Sequence, residues 1–265
     1  MLNNFKLVDH LWKVAEKYIP THFCLSSGYE EFDRAMDGGF REGELITISA
    51  PTGMGKTTFG VNLTANFNKK GVPSFWITYE MNPWYLKEKF MIMKHNQDVL
   101  VYTPLNDRTH FEYVKSELEY LDKHIDEAIN DYACKAIFID HLHYLIPLIG
   151  NKENFSLLVG SIVRELKKMA VRKNIIIFLI AHTKKIYQGE ELDLSSIRDS
   201  SLIAQESDYV FLIKRLQNKE GNYQNISRIQ LAKNRRTGIM FSLDFNYSNN
   251  TFLPITHKYN GQIID

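Results

Sequence analysis

The most specific chemistry in this chain lies in one octet, Ala50-Pro51-Thr52-Gly53-Met54-Gly55-Lys56-Thr57, which has the spacing of a phosphate-binding loop with Ala where the first Gly usually stands. Gly53 and Gly55, on either side of Met54, let the backbone turn its N–H groups inward around a polyphosphate, and a following helix N-terminus adds its positive dipole end. Lys56 is placed to reach the β- and γ-phosphates, Thr57 to offer its hydroxyl to Mg2+, and Thr58 to lie toward the α-phosphate. The loop is bracketed as such a site requires: Leu45-Ile46-Thr47-Ile48-Ser49 is a β-branched run, and 59–69 continues in a helix-compatible pattern. The implied ligands are ATP or another NTP, with Mg2+.

Three further apolar runs end in groups that act on phosphates. The run 136–140 ends in Asp140, where a parallel-sheet nucleotide site keeps its Mg2+-orienting carboxylate. Its neighbour is His141 rather than Glu, so a general base must come from elsewhere. Glu80, after the run 74–79, is the candidate, able to polarise an attacking water from the same sheet edge; a solvated strand-end carboxylate is the plain alternative. His182 follows the run 175–181. Alone it reads as a structural histidine, but Glu80, Asp140 and His182 at three strand ends form a constellation. In that setting a neutral imidazole can sense a phosphate and move the loop that follows it.

These residues need a sheet with helical crossovers to hold them. The stretch 111–132 carries apolar residues three or four apart, as do Phe155, Leu158, Ile162, Leu166 and Met169, so both are expected as amphipathic helices. After Asp208, the runs 209–214, 227–233 and 239–245 have strand character with short connections. The expected fold is α/β: a mostly parallel central sheet flanked by helices, with antiparallel strands at the C-terminal end. Leu11, Val14, Ala15 and Tyr18 suggest a short helix before Pro20. The division is therefore 1–25 as a linker helix and extended segment, and 26–265 as the nucleotide-binding domain.

Composition narrows the classes. With 265 residues, 44% hydrophobic and 24% charged, the chain is long enough for one large α/β domain and too apolar for disorder. Lys plus Arg number 32 against 31 acidic residues, a net charge of +1, so any nucleic-acid contact must be local. Cys24 and Cys134 cannot form a four-thiolate zinc site and read as reduced cytosolic thiols. No export signal and no membrane-length apolar run appears, which makes a cytoplasmic location, cellular or phage-encoded, the expectation.

Taken in order, the motifs resemble the superfamily-four hexameric helicases with a RecA-type core, which include the bacterial DnaB helicases, the podophage primase-helicase and mitochondrial Twinkle. Ser27-Gly28-Tyr29-Glu30-Glu31-Phe32-Asp33 resembles the family's opening segment, and Thr78-Tyr79-Glu80-Met81 its strand ending in the catalytic glutamate. Ala181-His182-Thr183-Lys184-Lys185 is closer to the histidine of the Twinkle and podophage type than to the glutamine of DnaB. The segment 196–208 resembles the passage from the DNA-binding loop into the next helix, and Ala232-Lys233-Asn234-Arg235-Arg236-Thr237-Gly238 resembles the Lys-x-Arg arginine-finger motif. Lys233, Arg235 and Arg236 alone would read as a solvated basic hairpin; the ordered resemblance assigns Arg235 to a neighbouring subunit's γ-phosphate, with Lys233 flanking it. Arg236 has no counterpart in the motif.

The resemblance implies an NTP hydrolase and DNA helicase that works as a homo-oligomer, a hexameric ring on single-stranded DNA, during replication. No primase or DnaB-type helical domain is recognisable beside the motor, so a separate primase or other replication protein is an expected partner. Candidate DNA contacts are Lys152 in the loop after His141, and Lys184, Lys185, Tyr187 and Arg198 in the loop after His182. The alternative is a RecA-like or KaiC-like DNA-dependent ATPase in recombination or repair, without helicase activity.

Overall fold

The computed structural model describes residues 23–93, 99–102, 117–145, 155–184, 190–198 and 200–255. The expected N-terminal helix, Lys152, Lys185 and Tyr187 lie outside them.

Eleven strands and six helices are described: β1 (Cys24–Leu25), α1 (Glu30–Ala35), β2 (Phe40–Arg41), β3 (Leu45–Ala50), α2 (Lys56–Lys69), β4 (Ser74–Thr78), α3 (Pro83–Ile92), β5 (Leu100–Tyr102), α4 (Glu117–Tyr132), β6 (Ala136–Asp140), α5 (Phe155–Lys173), β7 (Ile176–His182), α6 (Ser200–Glu206), β8 (Tyr209–Gln217), β9 (Tyr223–Asn234), β10 (Phe241–Ser248) and β11 (Thr251–Pro254). Nine strands form one sheet in the order β11-β10-β9-β8-β3-β7-β6-β4-β5. Pairing is parallel from β8 through β5 and antiparallel from β8 to β11, as the patterning predicts. A second, two-stranded sheet joins β1 to β2.

The central strands β3, β4 and β6 are buried at every position, which their unbroken apolar runs dictate, since crossovers cover both faces of a parallel sheet. Alternate residues feed two cores. Ile137, Ile139, Ile177 and Leu179 pack on Leu121 and Ile125 of α4 and on Val159, Ile162 and Leu166 of α5. Their neighbours Phe138 and Phe178, with Trp76, pack on Phe59, Leu63 and Phe67 of α2, Phe32 of α1 and Leu86 of α3.

On that second face Trp76, Phe138 and Phe178 occupy paired positions on adjacent strands and stack, with ring centroids 4.5 Å apart at each step. Such pairs add roughly 0.5–1.5 kcal/mol beyond their buried area. Gly60 lets α2 lie on this platform: a Cβ there would sit 2.8 Å from the Trp76 ring. The indole N–H donates to Thr64 Oγ1 at 2.9 Å, so α2, which begins at the phosphate loop, is fixed against the sheet both laterally and in register.

Candidate functional site

The parallel register brings the chemical groups to one edge. Ala50 pairs with His182 and Thr78 with Asp140, so the carboxyl ends of β3, β7, β6 and β4 stand side by side, where open α/β sheets bind ligands. Gly53 and Gly55 have φ of 77° and 101°, a left-handed geometry that side chains resist, and Gly55 is the N-cap of α2. The Lys56 ammonium is buried and donates to the Ala50 and Pro51 carbonyls at 3.1 and 3.4 Å. Burial pulls its pKa down, while Glu80 and Asp140 oppose that shift.

Thr57 Oγ1 donates to Asp140 Oδ2 at 2.8 Å, joining the loop to the end of β6. Asp140 is fully buried, and burial raises its pKa to about 6 against the lowering effect of the Thr57 bond. Its Oδ1 is buried with no hydrogen-bond partner. A buried carboxylate oxygen left over beside a threonine hydroxyl, in a pair of hard oxygen donors, suits Mg2+. Thr57 and Asp140 would hold the ion, which would supply positive charge to the β- and γ-phosphates.

Glu80 does not end its strand as expected; β4 stops at Thr78, and Glu80 follows in a turn. The Thr78 hydroxyl closes that turn, donating to the Met81 carbonyl at 3.3 Å and accepting from the Met81 N–H at 3.1 Å. Tyr79 N–H donates to the Asp140 carbonyl at 2.7 Å. The carboxylate is thereby set beside Thr57 and Asp140 and stays 39% exposed, so it can meet a water. Two imidazoles face it, His141 Nε2 at 3.6 Å and His182 Nε2 at 3.8 Å from Glu80 Oε2. The two rings meet edge to face with centroids 4.3 Å apart. Burial first, then Lys56, lowers the His182 pKa, which favours the neutral ring.

Thr52 to Thr58, Glu80, Met81 and His182 line a cavity of about 340 Å3 that also reaches Lys89, Arg215, Ser227, Tyr247 and Phe252. Sequence reasoning missed these last five. Lys89, on α3, donates to Thr58 Oγ1 at 3.3 Å and carries no motif. Phe252 comes from β11, a strand too short to stand out, and closes over the loop so that a Cβ on Gly55 would lie 3.1 Å from its ring. His141 was visible only as the residue replacing a glutamate; its contact with Glu80 needs the fold.

Beyond His182 the loop is tied at its base. Lys184 N–H donates to the Ser196 carbonyl at 2.7 Å, and Arg198 N–H to the His182 carbonyl at 2.9 Å. Asp193 caps the short helical turn Leu194–Ser196 that leads back. The exposed side chains of Lys184 and Arg198 thus flank the exit of β7.

Lys233 and Arg235 are not brought to this edge. Tyr209, which starts β8, pairs with Asn234, which puts both basic residues at the opposite, amino edge of the sheet. The length of β3 separates the two edges, roughly 16 Å. Arg235 donates to Asp208 Oδ1 at 3.1 Å and to the Gln205 carbonyl at 2.7 Å. The Lys233 ammonium donates to the Ala204, Gln205 and Ser207 carbonyls at 2.6, 3.0 and 2.7 Å, closing the end of α6. Arg236, left without a role by its sequence, binds Glu44 and the Met36 and Gly39 carbonyls and so pins the β9–β10 turn to the opening segment.

The profile of the family described as ATPase: KaiC matches residues 25–195, which span β1 through the loop after His182. The chain belongs to the KaiC ATPase family. Among relatives of this KaiC-type domain, it is 26% identical over 262 residues to the replicative DNA helicase DnaB of Geobacillus stearothermophilus, covering 89% of this chain and 57% of that protein. It is likewise 26% identical to the replicative DNA helicase DnaC of Bacillus subtilis, with the same coverage, and 25% identical to a probable replicative DNA helicase of Trieres chinensis, covering 84% and 56%. The chain therefore spans little more than half the length of these relatives. In fold it matches a solved structure of an ATPase domain, with a TM-score of 0.74 at 17% identity over 96% of this chain and 99% of that one. A DnaB-like replicative helicase, described with its interactions with primase, superposes at a TM-score of 0.71 and 19% identity over 92% and 66%. The KaiC-type domain thus has the RecA-like core of DnaB-like ATPase domains. No described helix is long and apolar enough to cross a membrane.

Proposed function

We propose that residues 26–265 form the motor of a ring helicase that hydrolyses ATP or another NTP, moves along single-stranded DNA and unwinds duplex DNA during replication. The observation that carries this reading is the division of catalytic parts between two sheet edges. Lys56, the Thr57–Asp140 pair and Glu80 converge on one cavity, while Arg235 stands on the opposite edge, too far to serve its own subunit. Such a site becomes complete where a second copy presents Arg235. The replicative helicases among its relatives support the same reading.

In this mechanism the loop N–H groups of 53–58 and Lys56 hold the phosphates, and Thr57 and Asp140 would hold Mg2+, which would supply positive charge beside them. Asp140 is buried and held by Thr57, whereas Glu80 faces the cavity, so Glu80 takes the proton of the attacking water. Arg235 from the neighbour stabilises charge on the departing γ-phosphate; Lys233, with its donors committed to α6, positions that strand end. His182 senses the γ-phosphate through its ring and passes the change to the DNA loop through its carbonyl bond to Arg198. Lys184 and Arg198, with Lys152, Lys185 and Tyr187, contact the strand, and a separate primase is a fitting partner.

The test is strand displacement on forked DNA together with ATP hydrolysis measured with and without single strands. Hydrolysis stimulated by single strands and displacement lost in Lys56→Ala are expected. Stimulated hydrolysis without displacement would instead favour a recombination-type ATPase, and no turnover at all would leave only a nucleotide-binding regulator.

A further inference from the structure

Beside the Mg2+ pair stands a second donor set of different chemistry. Glu80, His141 and His182 each offer one ligand atom, and the three atoms lie within 4.8 Å of one another. The Glu80 oxygen is 3.6 Å from His141 Nε2 and 3.8 Å from His182 Nε2. Around a tetrahedral Zn2+ with bonds of about 2.0–2.1 Å, neighbouring ligand atoms are about 3.3–3.5 Å apart. For the two distances to Glu80 the difference is a few tenths of an ångström, which a carboxylate in a turn and partly exposed can close; the two histidine nitrogens, within 4.8 Å of each other, must draw together as well. Two imidazoles and one carboxylate are the donors of a catalytic-type zinc site, with the fourth position open. Here that position opens on the nucleotide cavity, because Glu80 and His182 line it. Mg2+ avoids a set dominated by imidazole nitrogen and prefers oxygens such as those of Thr57 and Asp140.

We propose that Glu80, His141 and His182 form a site for a borderline-soft divalent cation of the Zn2+ class, distinct from the Mg2+ pair, and that its occupation switches hydrolysis off. Three protein ligands give the cation a chelate, and the Glu80 and Asp140 carboxylates offset the nearby Lys56 charge. A carboxylate bound to Zn2+ would no longer accept a proton from water, and with the open position taken by a γ-phosphate oxygen the ion would hold no water of its own, so the motor would keep its nucleotide without turning over. The inhibitory half rests on Glu80 being the base; the binding half does not.

The experiment titrates Zn2+ alone into the full chain in excess Mg2+, with Co2+ as the spectroscopic substitute. A single ion per subunit is expected, with intense visible bands of a tetrahedral Co2+ site and no thiolate charge-transfer band. His141→Gln and His182→Gln should each weaken binding by at least the ~10-fold that losing even an outer-shell partner costs. Wild-type hydrolysis should fall in step with occupancy and return when a zinc-selective chelator is added. Unchanged Zn2+ affinity in both histidine variants, or a thiolate band placing the ion at Cys24 or Cys134, overturns the site. Zn2+ inhibition that persists undiminished in both variants places the effect at Thr57 and Asp140 and overturns it too. Glu80→Gln separates the two readings. Retained turnover in that variant, with tight Zn2+ binding by wild type, defeats the base and leaves the site; lost turnover with no Zn2+ binding by wild type does the reverse.

Discussion

Glu80 is positioned by two groups that do no chemistry themselves, the Thr78 hydroxyl that closes its turn and the Asp140 carbonyl that holds Tyr79. Glu80→Gln keeps this scaffold and removes only basicity, so nucleotide binding should persist while single-turnover hydrolysis falls by roughly 10²–10⁴. Lys56→Ala should differ by weakening nucleotide binding as well, since it removes the cation that lies across the loop; equilibrium binding of a fluorescent nucleotide distinguishes the two. At this scale the sequence was most informative where spacing itself makes the chemistry. The phosphate loop declared itself because glycine, lysine and threonine must follow one another along a single turn. Glu80, Asp140 and His182 were readable because apolar runs point their ends to one edge of a parallel sheet. Lys89, Arg215 and Tyr247 were not, because each reaches the site from an element whose placement depends on tertiary packing; His141 stands next to Asp140, but its contact with Glu80 joins the ends of two strands and has no spacing to announce it.

Among the elements, α2 carries the largest burden, since it must present its N-terminus to phosphate while lying on the stacked rings of Trp76, Phe138 and Phe178. Gly60→Ala places a methyl group against Trp76, a ring that is fully buried and stacked and cannot retreat. Such overpacking should cost about 1–3 kcal/mol in urea unfolding, and the shift of α2 should weaken nucleotide binding too. The end of α6 offers a second test. Lys233→Met keeps the aliphatic stem but removes three charge-assisted bonds to carbonyls, so a loss of about 1.5–3 kcal/mol is expected in the same measurement. Long elements were legible because their periodicity repeats. The amphipathic α4 and strands β3, β6 and β7 appear within a residue or two of expectation wherever they are described, and α5 starts at Phe155 as read and runs one turn past Met169 to Lys173. The ribbon of β1 and β2, the three-residue β5 and the four-residue β11 are too short to show a period, and they form because neighbouring edges are there to pair with.

For the whole molecule, the placement of Arg235 decides how many chains make one working site. Bonded to Asp208 at the amino edge, it is separated from its own phosphate loop by the length of β3, yet half exposed and ready to face a neighbour. The proposed sharing would also account for how little of the function composition carried: a site divided between copies needs only a few charges at two edges, and a net charge of +1 accommodates that. Arg235→Ala should lower hydrolysis by roughly 10³–10⁵, the range for an arginine finger, while leaving nucleotide binding by the isolated subunit intact. The sharper prediction concerns mixtures. Lys56→Ala subunits lack a working phosphate loop but keep Arg235; Arg235→Ala subunits keep the loop and lack the finger. If the finger acts in trans, mixed assemblies contain interfaces where an intact loop meets an intact arginine, about one quarter of them at equal input with random order. Hydrolysis should then reappear on mixing two inactive proteins, scale with the product of the two fractions, and vanish on dilution below the assembly concentration. Were Arg235 to act on its own subunit's nucleotide, no mixture would exceed the activity of its parts, and the arginine would be left with its bond to Asp208 as its whole role.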